Sequence, residues 1–203
     1  MHCLTTHPYD VPEPIFAYTA IHESWRGFWS KVELFRPGLF EFPVLFLDLD
    51  TIVNNLDSLP STDIDGMWMI RDVGGHKRWA SGVMAWHPGR GAPFYHDLMK
   101  WREERHYPVQ NRRKSGNRDR CSYNAFPNKG DQEFMHRRAP ALGVKFSVLQ
   151  QQMRITSFKK GVRKYNKNPD DYDIICFHGK PRPQNCTHPW VVDYFQKLSD
   201  VPL

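Results

Sequence analysis

The sequence predicts an α/β domain in which a mixed, mostly parallel sheet carries helices on both faces. Three observations lead there. Short unbroken apolar runs have the length and composition of strands covered on both sides. Segments with helical spacing lie between those runs, the alternation typical of α/β sheets. Two of the runs stop abruptly at polar side chains, Asp48 and His178. In such sheets ligands bind beyond the carboxyl ends of the strands.

Taken in order, residues 1–27 are rich in Pro, His and Tyr and show no strong period. Phe28, Val32 and Phe35 then fall at i, i+4 and i+7, which predicts a helix over 28–36, ended by Pro37-Gly38. Val44–Leu47 is an apolar run predicted to be a strand buried on both faces. Residues 67–70 and 82–86 read as further strands between turn residues. Leu98 and Trp101, three apart, support a helix over 94–105. Residues 102–120 hold seven Lys or Arg against three acids and almost no aliphatic side chain. This predicts an exposed basic loop, an insertion over 102–129. Asp131–Arg138 is expected to be a short helix, 145–149 a strand and 174–177 the last buried strand. Thr187, with Pro189 two residues on, opens a final helix to 198.

Length and composition fit one domain over 1–203. At 40% hydrophobic and 14% aromatic, the chain has enough apolar side chain for a sizeable core. The net charge of +6 favours anionic partners such as phosphates, nucleotides or acidic glycans, and makes no case by itself for nucleic acid. Cys3, Cys121, Cys176 and Cys186 form no CxxC pair and no dense framework, so a reducing compartment is expected. Met1 to Pro8 lacks the charged-then-apolar order of a signal peptide. No stretch reaches the roughly 18 apolar residues of a membrane span. The expectation is a soluble cytoplasmic protein of unspecified oligomeric state.

Asp48-Leu49-Asp50 puts two carboxylates at alternate positions, so in an extended chain both point the same way. Like charges at the exit of an apolar strand repel, and a hard cation such as Mn²⁺ or Mg²⁺ relieves that conflict with oxygen ligands. Solvated turn carboxylates are the plainer alternative. A second group, Cys176-Phe177-His178 with Cys186-Thr187-His188, offers Cys and His ligands for zinc, with buried inert cysteines the plainer reading.

Further motifs follow in order: Phe28-Trp29-Ser30-Lys31-Val32-Glu33-Leu34-Phe35, the Asp48-Asp50 strand end, Ser81-Gly82-Val83-Met84, Gly130-Asp131-Gln132 and Phe177-His178-Gly179-Lys180-Pro181-Arg182-Pro183. Over about residues 25–185 this succession resembles the GT-A-fold glycosyltransferases, in particular family 8, the glycogenins and bacterial lipopolysaccharide galactosyltransferases. The resemblance implies a sugar transferred, with retention, from a nucleotide-sugar donor, UDP-linked, to a glycan, lipid-linked or protein acceptor. It implies that Asp48, Asp50 and His178 bind Mn²⁺ (or Mg²⁺). Asp48 and Asp50 would also face the donor nucleotide, with Lys31, Lys180 and Arg182 near its phosphates. Asp131 and Gln132 would lie beside the transferred sugar as the catalytic pair; Asp131 read on its own is equally a helix N-cap. The basic loop would be an acceptor-side flap or a solvated insertion. The chain differs from the family at Ala80, where Asn is usual, at Gln184, where Trp is usual, and in starting near Cys3-Leu4-Thr5-Thr6, after the family's first strand and helix.

Two other readings remain. Haloacid-dehalogenase-type phosphatases also place aspartates after an apolar strand, which would make Asp48 the nucleophile and Asp50 the general acid. A non-catalytic chain that keeps a nucleotide- or glycan-binding surface is the other.

Overall fold

The computed structural model describes residues 2–5, 16–19, 27–57, 60, 66–71, 78–104 and 130–199. Nine strands and three α-helices occur among them: β1 (His2–Thr5), β2 (Phe16–Thr19), β3 (Val44–Leu47), β4 (Thr51–Val53), β5 (Met67–Arg71), β6 (Trp79–Trp86), α1 (Ala92–Glu104), α2 (Asp131–Arg138), β7 (Phe146–Val148), β8 (Ile155–Ser157), β9 (Ile174–Cys176) and α3 (Pro189–Ser199). The strands form three sheets: β1 beside β2, a sheet of order β3-β6-β5-β7, and a sheet of order β4-β9-β8. Pairing is mixed, parallel for β1 with β2 and for β8 with β9, antiparallel for β4 with β9.

The chain divides into two compact units, one of residues 1–44, 64–67 and 86–145, the other of 45–63, 68–85 and 146–203. The first is built on aromatic packing. Phe35 meets Trp86 edge-on at 5.0 Å and Phe94 at 6.0 Å, and Phe134 meets Phe94 at 6.1 Å and Trp29 at 5.6 Å. Phe35 reaches this place because Gly91 has no Cβ; one built there would lie 2.3 Å from the Phe35 ring. Arg138 of α2 grips Asp97 of α1 with two hydrogen bonds of 2.7 and 2.6 Å, a forked contact that fixes the two helices in register. The predicted helix over 28–36 is a 3-10 helix, Gly27–Phe35. Gly27 and the ring-bearing side chains favour the α-helix poorly, and Pro37-Gly38 stops it.

In the second unit, β6 lies between β3 and β5, and its residues are mostly buried on both faces, as a continuous apolar run predicts. β3 does not share that burial. It is at the sheet edge and all four residues are half-buried, which corrects the expectation of a strand covered on both sides. β9 is the buried centre of its sheet. Ile52, Phe158, Val162, Ile175, Phe177 and Val191 pack into one cluster around it. Each such side chain contributes about 1.5–3 kcal/mol by leaving water. No described helix is long and apolar enough to cross a membrane.

Candidate functional site

Every predicted site residue lies among the described ones, in two groups, one in each unit. In the second unit, β3 ends as Asp48 donates its N–H to the Gly82 carbonyl at 2.8 Å. Gly82 lets the carboxylate come close: a Cβ there would lie 3.3 Å from Asp48 Oδ2. Leu49 then turns fully into solvent, and the chain re-enters as β4. Thr51 pairs with Cys176 in the antiparallel β4–β9 ladder. One step further the Phe177 N–H donates to the Asp50 carbonyl at 2.9 Å. His178 is the next residue, so Asp48-Leu49-Asp50 and His178 share one end of this sheet. The ladder brings together segments that are far apart in sequence.

The carboxylate of Asp50 is held by Arg182 in an ion pair with the guanidinium, about half of which is exposed. Among the described residues no three His, Cys, Asp or Glu side chains converge as a ready metal cluster. The guanidinium relieves the repulsion between the two carboxylates that the sequence assigned to a cation. In kind, the donor set still fits a divalent ion: two carboxylates and an imidazole at one sheet end. Burial first, then the negative charges of Asp50 and Asp48, push the Cys176 thiol up to about 12. Cys176 is therefore protonated at neutral pH and packs as a small apolar side chain. Cys186 is half-buried against the core cluster, and His188 meets the Phe158 ring edge-on at 5.4 Å.

The segment after His178 turns at Gly179, whose φ of +67° suits glycine. Lys180 is exposed and Arg182 leads into a short 3-10 helix, Pro183–Asn185. One residue the sequence did not single out comes close: the ammonium of Lys159 lies 3.6 Å from the point a Cβ on Gly179 would occupy. No motif marks it. Only the parallel β8–β9 pairing, Ser157 against Cys176, carries it there.

In the first unit, Lys31 and Asp131 meet. Nζ is 3.5 Å from Oδ2 and both side chains are largely buried. Asp131 is not the N-cap of α2; Gly130 holds that position with φ +87°, and Asp131 is the first helical residue. Its carboxylate there is favoured by the helix dipole and by Lys31. Gln132 follows it, half-buried. The basic segment 105–129, with Tyr107, Cys121 and Tyr123, lies outside the described residues.

No known family model matches the chain, and no curated protein matches it in sequence. Solved structures do. Galactosyltransferase LgtC, in complex with donor and acceptor sugar analogues, superposes with a TM-score of 0.56 at 11% identity, over 94% of this chain and 77% of that one. GlyE, a glycosyltransferase of Streptococcus pneumoniae TIGR4, gives a TM-score of 0.52 at 15% identity over 93% of this chain; the match spans 51%, about half, of GlyE. An active-site Gln-to-Glu variant of LgtC gives 0.52 at 13% identity, over 94% and 78% of the two chains. At such identities the likeness is one of fold, and the chain has the mixed α/β GT-A fold of these glycosyltransferases.

Proposed function

We propose that the chain is a metal-dependent glycosyltransferase that moves a sugar, with retention, from a UDP-sugar to a glycan, lipid-linked or protein acceptor. The observation that carries this reading is the β4–β9 junction. It sets Asp50, 132 positions from its ion-pair partner Arg182, beside the His178 segment on a GT-A fold. LgtC was solved with donor and acceptor sugar analogues, which supports a donor and an acceptor here. It also has an active-site glutamine, which supports a role for Gln132 in this chain.

In the proposed reaction the bond between the sugar C1 and the donor phosphate breaks. A bond forms from C1 to an acceptor hydroxyl oxygen. The hydroxyl proton passes to the departing diphosphate or to water. The chemistry a divalent cation supplies when held by Asp48, Asp50 and His178 is neutralisation of the charge that develops on the diphosphate. Arg182 presents a planar fork that matches phosphate oxygens, and Lys180, exposed two residues before it, adds a point charge on the same segment. Preorganised charges of this kind act where negative charge develops, the largest single term in many enzymes. In the first unit Lys31 pairs with Asp131 and fixes its carboxylate next to Gln132, the pair proposed for a catalytic role.

The test is release of UDP from a panel of UDP-hexoses by the full chain, with Mn²⁺ or with EDTA. Release that needs Mn²⁺ and is lost in Asp50→Ala supports the reading. Hydrolysis of an aryl phosphate that is lost in Asp48→Asn, without UDP release, would support the phosphatase instead. UDP binding with no release in the presence of acceptors would mark a non-catalytic binding chain.

A further inference from the structure

Lys159 stands apart from the basic residues around it. After β8 the chain enters a π-helix, Phe158–Lys164. Two contacts fix this turn. The Lys160 N–H donates to Ser157 Oγ at 3.3 Å, and Gly161 passes so close to Thr156 that a Cβ would lie 2.2 Å from its Oγ1. Phe158 stacks flat on Phe177, with ring centroids 4.3 Å apart and planes 10° from parallel. Both rings are fully buried. The residue after Phe158 is thereby locked beside the residues after Phe177, which are His178 and Gly179. This is why the Lys159 ammonium lies against Gly179.

The other cations of the segment point elsewhere. Lys160, Arg163, Lys164 and Lys167 are exposed, and Lys164 and Lys167 lie near the rings of Tyr165 and Tyr172. Lys159 is half-buried and joins no ion pair among the described residues. A cation partly withdrawn from water gains from an anion that comes to it. Gly179, beside the ammonium, lies between His178 and Lys180, and Arg182 follows on the same segment. An anion bound beside Gly179 would meet the Lys159 ammonium, with Lys180 and the Asp50-paired Arg182 on the same segment.

We propose that Lys159 is a further binding residue for the diphosphate of the donor, reaching it across Gly179 from the β8–π-helix junction. This rests on the donor-site reading above. It predicts that Lys159 distinguishes a nucleoside diphosphate from a monophosphate, because the group it meets is the terminal β-phosphate, which a monophosphate lacks.

The test is calorimetric titration of the full chain, with Mn²⁺ present, by UDP and by UMP, for the unaltered chain, Lys159→Met and Lys159→Arg. A lost charge-assisted contact should weaken UDP binding about tenfold in Lys159→Met. UMP binding should change less than about twofold, and Lys159→Arg should keep most of the UDP affinity. Equal losses for UDP and UMP, or unchanged UDP affinity, would overturn the assignment and leave the donor site standing. An unaltered chain that binds neither nucleotide would overturn the donor reading and the assignment with it. Melting curves of all three chains exclude loss of fold as the cause, since the buried anchor Phe158 is kept in each.

Discussion

At the scale of single residues, the site depends on a few close approaches. Gly82 is one. A methyl group there would sit 3.3 Å from Asp48 Oδ2, so the carboxylate must shift by a few tenths of an ångström to make room. Gly82→Ala should weaken Mn²⁺-dependent UDP binding about tenfold, the low end of the cost of disturbing a ligand's support. Its melting temperature should change little, and titration beside a melting curve separates the two effects. The buried Lys31–Asp131 pair behaves differently. Asp131→Ala takes a carboxylate away from the largely buried Lys31 ammonium and should cost about 1–3 kcal/mol. Lys31→Met with Asp131→Leu should recover most of that stability and none of the transfer activity; recovery of both would mean that the pair is only structural. Asp48, Asp50 and His178 were legible in the sequence because apolar runs stop at them. Asp131 was legible as a residue of interest but not as the partner of Lys31, since 100 residues separate the two. Lys159 was not legible at all, because its place follows from which strands pair.

At the scale of elements, the three-stranded sheet is pinned by Asp173. Its carboxylate accepts from the Arg154 N–H at 2.7 Å and from the Arg154 guanidinium at 2.7 Å, while its own N–H donates to the Arg154 carbonyl at 2.8 Å. Its carbonyl accepts from the Asn54 and Asn55 N–H groups beyond β4. The Arg154 guanidinium bond holds the Asp173 pKa below the ordinary carboxylate value. A carboxyl depressed on folding stabilises the fold fully above its unfolded pKa of about 4. That contribution disappears as the pH falls through the lower folded value. Asp173→Asn should therefore lower the melting temperature at pH 7 and narrow the difference from the unaltered chain below about pH 4; a constant difference across that range would contradict the argument. Stacking at the next turn is the second support, and Phe158→Ala should cost about 3–5 kcal/mol in a chemical denaturation curve. The strands read over 44–47, 67–70 and 82–86 are present, the second one residue longer (Met67–Arg71) and the third three residues longer (Trp79–Trp86). Thr51–Val53 and Ile155–Ser157 were not legible, because Thr51, Thr156 and Ser157 leave no unbroken apolar run to mark them. β3 looked doubly buried because composition reports an apolar run, not its place at the edge of a sheet.

At the scale of the whole molecule, the order of motifs pointed to a GT-A fold, and the superposition on LgtC and GlyE agrees. Very little of this passes through sequence identity, which is 11–15% in the structures compared. What survives at that distance is the fold, and in such sheets ligands bind beyond the carboxyl ends of the strands. The net charge of +6 suits an anionic donor and should make its binding weaken with salt. The central claim is that the Asp48–Asp50–His178 end binds a nucleoside diphosphate through a divalent ion. Calorimetric titration of the full chain with UDP, in Mn²⁺ and again in EDTA, tests it most directly. Binding should be at least about tenfold tighter with Mn²⁺, a gain abolished by Asp50→Ala. Equal affinity in Mn²⁺ and EDTA, or the same gain in Asp50→Ala, would contradict it.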